Sequence, residues 1–178
     1  MIKASNIREP IIKALELYGT GISIAEVGIY KGIHAEVIYQ TLKPSKFYMV
    51  DTWKDSELFK DMDNIYNSVV NKFGNLSGCN IIRASSFDAS ILLDSAKEKL
   101  DVVYLDSSHV YDNVLDDISY WYPLVKSGGM FCGHDYNKKQ YNNLNIKCNV
   151  KGAVNDFFKP KGYHINISKN GRDWWIIK

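Results

Sequence analysis

The chain reads as an α/β protein with a doubly wound, mostly parallel sheet and helices on both faces. Three features carry that reading. Short β-rich runs alternate with longer segments of helical apolar spacing. Several of those runs lead directly into glycine or aspartate, the residues of tight strand–helix turns. The last two β-rich runs flank Lys169-Asn170-Gly171, a turn signal for an antiparallel pair, so the sheet is expected to be mixed.

The elements follow in order. Ile11, Ile12, Leu15 and Leu17 lie largely on one helical face, and Gly19 and Gly21 stop that helix. Ile22 to Val27 reads as the first strand, ending in Gly28, and Gly32 to Leu42 as an amphipathic helix. Lys46 to Asp51 is a second strand, Phe59 to Phe73 a helix ended by Gly74, and Asn80 to Ala84 a weak third strand. A short helix through Ile91, Leu92 and Leu93 precedes Val102 to Leu105, the most strand-like run. Asn113 to Val125 is a helix broken by Ser127-Gly128-Gly129, and Met130 to Cys132 a fifth strand. Asn137 to Val150 is polar and reads as a loop, and Ala153 to Phe158 as a short helix. Tyr163 to Ile167 and Trp174 to Ile177 form the closing pair.

The 178 residues suit one domain, read here as residues 1–178. Hydrophobic residues make up 46% and charged residues 24%, a globular balance. The net charge of +2 is spread without a basic run, which argues against nucleic acid as the main partner. Three cysteines without a CxxC pair speak against a disulfide framework or structural zinc. The start has no signal-peptide pattern, and no apolar run approaches the roughly 20 residues that span a bilayer. A cytoplasmic location is therefore expected.

In open α/β sheets ligands sit beyond the C-terminal strand ends, so the loops after Val27, Val50, Ala84, Leu105 and Cys132 are where chemistry is sought. The first reads Glu26-Val27-Gly28-Ile29-Tyr30-Lys31-Gly32, whose glycines permit a tight turn and close ligand approach. Asp51 ends the next strand, placed to hydrogen-bond the ribose hydroxyls of a nucleoside; an ordinary turn and a helix cap are the plainer readings. A dinucleotide fingerprint would set pyrophosphate at this helix start, but Glu26 puts a carboxylate there, which repels phosphate. A ligand with an ammonium group and no phosphate fits better, and S-adenosylmethionine is such a ligand.

Taken together, Glu26-Val27-Gly28 with Gly32, Val50-Asp51-Thr52-Trp53, Leu105 to Tyr111, Asp117, Trp121, Pro123-Leu124, Gly128-Gly129 and His134-Asp135-Tyr136 resemble one family. It is the class I S-adenosylmethionine-dependent methyltransferases, in the small branch with macrocin-type O-methyltransferases and cephalosporin hydroxylase-like proteins. The resemblance covers nearly the whole chain. It implies a Rossmann-like seven-stranded sheet in which the last hairpin places an antiparallel strand inside the sheet.

Carried over residue by residue, the resemblance puts Glu26 and Gly28 at the methionine part of the cofactor and Asp51 at the ribose, with Tyr30 and Gly32 also among the cofactor-binding residues. Trp53 falls near the adenine, with a packed core aromatic as the alternative, and Ser86 and Phe87 border the adenine pocket. Asp106 and Asp135 end neighbouring strands at the cofactor's methyl end. In metal-dependent relatives carboxylates here hold a divalent ion, such as magnesium or manganese, that binds the acceptor's hydroxyls. His134 beside Asp135 joins that metal set, although cofactor binding and helix capping are the alternative for the two aspartates. His109 is read as a general base for the acceptor hydroxyl, or else as a strut of its loop. The catalytic candidates are thus Asp106, His109 and Asp135.

The implied activity is methyl transfer to a small hydroxylated metabolite or sugar, in a chain that forms a homo-oligomer if a partner subunit completes the pocket. A cofactor-binding protein without transferase activity, or a nicotinamide-dependent reductase, remains open on residues alone.

Overall fold

Ser23–Val27 is buried at every position, as a central parallel strand covered on both faces must be. It is β1 of a computed structural model that describes residues 7–57, 59–139 and 148–178. The further strands are β2 (Lys46–Asp51), β3 (Cys79–Arg83), β4 (Leu100–Leu105), β5 (Val125–Gly133), β6 (Asn166–Ile167) and β7 (Trp174–Ile177). The helices are α1 (Glu9–Tyr18), α2 (Ile33–Leu42), α3 (Met62–Phe73), α4 (Ser86–Ser95), α5 (Tyr111–Trp121) and α6 (Val150–Phe158).

The sheet order is β3-β2-β1-β4-β5-β7-β6. The first five strands pair in parallel, whereas β7 runs antiparallel to both β5 and β6. The expected seven-stranded mixed sheet is present, with its antiparallel strand inside. Chain order reverses between β1 and β4, which sets the ligand crevice beyond Val27 and Leu105.

Period-two alternation divides the core into two layers. Ala25, Val27, Val103 and Leu105 pack on one face with Val114, Ile118 and Trp121 of α5 and Ala153, Val154 and Phe158 of α6. Ile24, Val102 and Tyr104 pack on the other with Ile11 and Ala14 of α1 and Ala35 and Ile38 of α2.

Several boundaries differ from expectation. β5 begins at Val125, because Ser127-Gly128-Gly129 is taken into the strand past a register shift opposite β4 rather than ending an element. α5 accordingly stops at Trp121, and a 3-10 turn over Tyr122–Leu124 joins them. α3 starts at Met62, leaving Phe59 in the preceding loop. α4 spans Ser86–Ser95, its start capped by Ser85 Oγ accepting from the Asp88 N–H. β6 shrinks to two residues. The polar loop expected over 137–150 lies partly outside the described residues. Among the described residues no helix is long and apolar enough to cross a membrane.

Candidate active site

Gly28 has φ +96°, and a Cβ on it would lie 2.2 Å from the Asp106 carbonyl oxygen. Only glycine lets the ends of β1 and β4 approach this closely. Around that point opens a cleft of about 1000 Å³ lined from all five parallel strand ends. Glu26, Gly28, Tyr30, Asp51, Ser86, Phe87, Asp106, His109, His134 and Asp135 line it.

Glu26 is 1% exposed. Its Oε1 accepts from His34 Nδ1 at 2.7 Å, while Oε2 has no partner among the described residues. A buried carboxylate oxygen left unpaired is costly, so a hydrogen-bond donor from a ligand or water is called for at this point of the cleft. His34, which the sequence reading left without a role, is therefore part of the site. A helical residue eight positions after Glu26 gives no local signal of this contact.

Asp51 Oδ2 accepts the backbone N–H groups of Ile29 and Tyr30 at 2.9 and 2.8 Å, and its Oδ1 accepts that of Trp53 at 2.9 Å. The carboxylate thus clasps the glycine loop as well as lining the cleft. Tyr30 sits at φ +50°, an uncommon state for a large residue.

Two residues expected at the cofactor lie outside the cleft lining, Trp53 taking its packed-core alternative. Trp53 is fully buried and lies outside the cleft lining, packed against Tyr66, with its indole N–H donating to the Tyr30 carbonyl at 2.9 Å. It supports the loop from beneath instead of facing adenine. Gly32 also lies outside the lining: it is the left-handed N-cap of α2, with Phe73 so close that a Cβ would meet its ring at 2.8 Å.

At the other end of the cleft, Asp106, His109 and Asp135 offer ligand atoms that all lie within 4.8 Å of one another. His109 Nε2 is 2.8 Å from Asp135 Oδ2 and 3.9 Å from Asp106 Oδ1. Burial alone would raise the Asp135 carboxyl, but His109, Lys138 and His134 outweigh it and hold the group well below the usual carboxylate range. It is His109 and not the expected His134 that groups with Asp106 and Asp135 here. The His134 ring turns its Nδ1 to the buried Asp173 at 2.7 Å, leaving Nε2 3.5 Å from Asp135 Oδ1. Asp173 comes from the closing hairpin, whose pairing with β5 no local pattern at His134 announces.

Such a cleft, at the switch point of a doubly wound sheet and ringed by acidic strand ends, places the chain in the class of doubly wound α/β proteins with a ligand crevice at the strand ends. A family model described as a methyltransferase domain matches residues 25–136, more than half of the chain. The chain belongs to the methyltransferase domain family. It is 26% identical over 119 residues to an uncharacterised protein of Acanthamoeba polyphaga mimivirus, spanning 65% of this chain and about half, 52%, of that relative. Its fold is similar to that of an O-methyltransferase from Bacillus cereus solved with S-adenosylhomocysteine, at TM-score 0.64 and 13% identity over 99% of this chain and 84% of that one. It is also similar to the MycE methyltransferase of mycinamycin biosynthesis, solved with magnesium, S-adenosylhomocysteine and mycinamycin VI. There the TM-score is 0.59 and the identity 13%, over 92% of this chain and 46% of that one.

Proposed function

We propose that the protein binds S-adenosylmethionine and transfers its methyl group to a hydroxyl of a small metabolite or sugar. The unpaired Oε2 of Glu26 at the switch point carries the reading. The wider charge balance supports it. Six carboxylates (Glu26, Asp51, Asp106, Asp116, Asp117 and Asp135) line the cleft against four basic side chains (Arg8, Lys31, Lys54 and Lys138). That surface favours a ligand with sulfonium and ammonium charges and disfavours a diphosphate.

When bound, S-adenosylmethionine supplies an electrophilic methyl group. Glu26 accepts from the ammonium, Asp51 from the ribose, and Ser86 and Phe87 border the base. Alignment of the acceptor oxygen then carries much of the rate, since proximity is worth roughly 7–11 kcal/mol in well-oriented systems. His109 takes the acceptor's proton, and the imidazolium formed is stabilised by Asp135 and Asp106.

In the metal-assisted form of the reaction, the two carboxylates and imidazole of Asp106, Asp135 and His109 would hold a divalent cation, with His109 a ligand in place of the base and its nitrogen favouring manganese-like ions over magnesium. Such an ion would lower the hydroxyl pKa of the acceptor. A reducing, cytoplasmic setting suits the three free cysteines.

The test is transfer of a labelled methyl group from S-adenosylmethionine to a panel of sugars, polyketides and other hydroxylated small molecules. Label in an O-methyl ether is the expected result. Tight cofactor binding with no transfer to any hydroxyl would favour the binding-protein alternative.

A further inference from the structure

Asp173 is sealed in the closing hairpin, 1% exposed, and no step of the proposed transfer uses it. Its backbone is held on both sides: its N–H donates to Ser168 Oγ at 2.8 Å, and its carbonyl accepts the Ser168 N–H at 2.9 Å. From that fixed point Oδ1 accepts two side chains, the Tyr104 hydroxyl of β4 at 3.0 Å and His134 Nδ1, just past β5, at 2.7 Å. A buried carboxylate persists only where such donors offset its desolvation. Burial alone would raise the Asp173 carboxyl, but His134, Arg8 and Tyr104 outweigh it and hold the group below the usual carboxylate range.

Each of the two donors leads on to an aspartate of the acceptor end. The Tyr104 hydroxyl, its proton committed to Asp173, accepts Arg8 Nη1 at 2.8 Å, and the same Nη1 donates to Asp106 Oδ2 at 2.7 Å. Oδ2 is thereby tied down. Oδ1 is the Asp106 oxygen on the His109 side, 3.9 Å from its Nε2. Along the other arm an ionised carboxylate can only accept, so His134 carries a proton on Nδ1. Its Nε2 is then set toward the site, 3.5 Å from Asp135 Oδ1. We propose that Asp173 is a positioning residue for methyl transfer: one buried oxygen sets the Asp106 carboxylate through Tyr104 and Arg8, and the His134 ring directly. This rests on the methyltransferase reading of the cleft.

Tyr104→Phe isolates one arm. It removes only the hydroxyl, and the ring contacts remain, with His34 at 4.5 Å and the Arg8 guanidinium at 5.5 Å. The experiment follows the arginine and histidine side-chain N–H signals of the 15N-labelled full chain by NMR, in wild type, Tyr104→Phe and Asp173→Ala. Wild type is expected to show slowly exchanging Arg8 guanidinium and His134 Nδ1–H signals. Tyr104→Phe is expected to lose the first and keep the second, and Asp173→Ala to lose both. Should Asp173→Ala fail to fold, Tyr104→Phe still decides.

Turnover with the acceptor found in the labelled-methyl screen is the functional readout. Tyr104→Phe is expected to lower kcat by roughly 10²-fold with KM for S-adenosylmethionine nearly unchanged, since displaced reacting groups cost rate rather than cofactor binding. Arg8 signals that survive in Tyr104→Phe, or a wild-type kcat in that variant, overturn the proposal. The NMR readout needs neither cofactor nor acceptor, so the two readings fail separately. Absence of S-adenosylhomocysteine binding by wild type strikes the cofactor reading, and with it the role in transfer, whereas surviving Arg8 signals strike the relay from Asp173 alone.

Discussion

Asp51 accepts the backbone N–H of Tyr30 at 2.8 Å across 21 residues of chain, and so ties the end of β2 to the glycine loop of β1. One carboxylate thereby does two jobs, shaping the loop and presenting itself to the cleft. Asp51→Ala is expected to weaken S-adenosylhomocysteine binding by roughly 1.5–3 kcal/mol, since charged-group hydrogen bonds are lost. Thermal stability is expected to fall as well, because three amides lose their acceptor. Calorimetry with unchanged affinity would remove Asp51 from the ribose.

Trp53 acts through the same loop. Trp53→Phe keeps the ring but removes the donor to the Tyr30 carbonyl, for an expected stability loss of about 1–3 kcal/mol. Urea denaturation reads this directly. A variant with full stability but lost cofactor affinity would return Trp53 to direct ligand contact.

His109 has its Nε2 on Asp135, the arrangement expected of an oriented base. His109→Ala is expected to lower turnover by roughly 10²–10⁴-fold with little change in S-adenosylhomocysteine affinity. Wild-type turnover at every pH, with a lowered melting temperature, would make it a loop strut.

Metal removal addresses the same end of the cleft. Treatment with EDTA is expected to depress turnover while cofactor affinity persists, and manganese is expected to restore it. Full turnover in the chelated protein would leave Asp106 and Asp135 as cofactor or acceptor contacts.

Much of this site was legible in the sequence because strand ends are local features. Glu26, Asp51, Asp106 and Asp135 each close a β-rich run, and parallel topology brings such ends to one crevice. What escaped were partners set by packing between distant elements. Arg8 reaches Asp106 across 98 residues, and Asp173 reaches His134 across 39. That second contact turns His134 Nδ1 away from Asp135, while His109 groups with the two aspartates. Sequence leaves Trp53 open between cleft and core for a different reason: a residue beside a strand-end Asp has the same neighbours in sequence whether it points up to the cleft or down into the core. Likewise Ser127-Gly128-Gly129 has the composition of a breaker, and only the neighbouring strand makes it part of β5.

The central claim is that the cleft takes S-adenosylmethionine and not a dinucleotide, and paired calorimetric titrations with S-adenosylhomocysteine and NADH test it most directly. Glu26, with its unpaired oxygen at the switch point, predicts saturable S-adenosylhomocysteine binding and no heat from NADH beyond dilution. Glu26→Gln removes the charge that selects between them, and is expected to weaken S-adenosylhomocysteine binding by roughly 1.5–3 kcal/mol. Saturable NADH binding by the wild-type protein, with none for S-adenosylhomocysteine, would contradict the account.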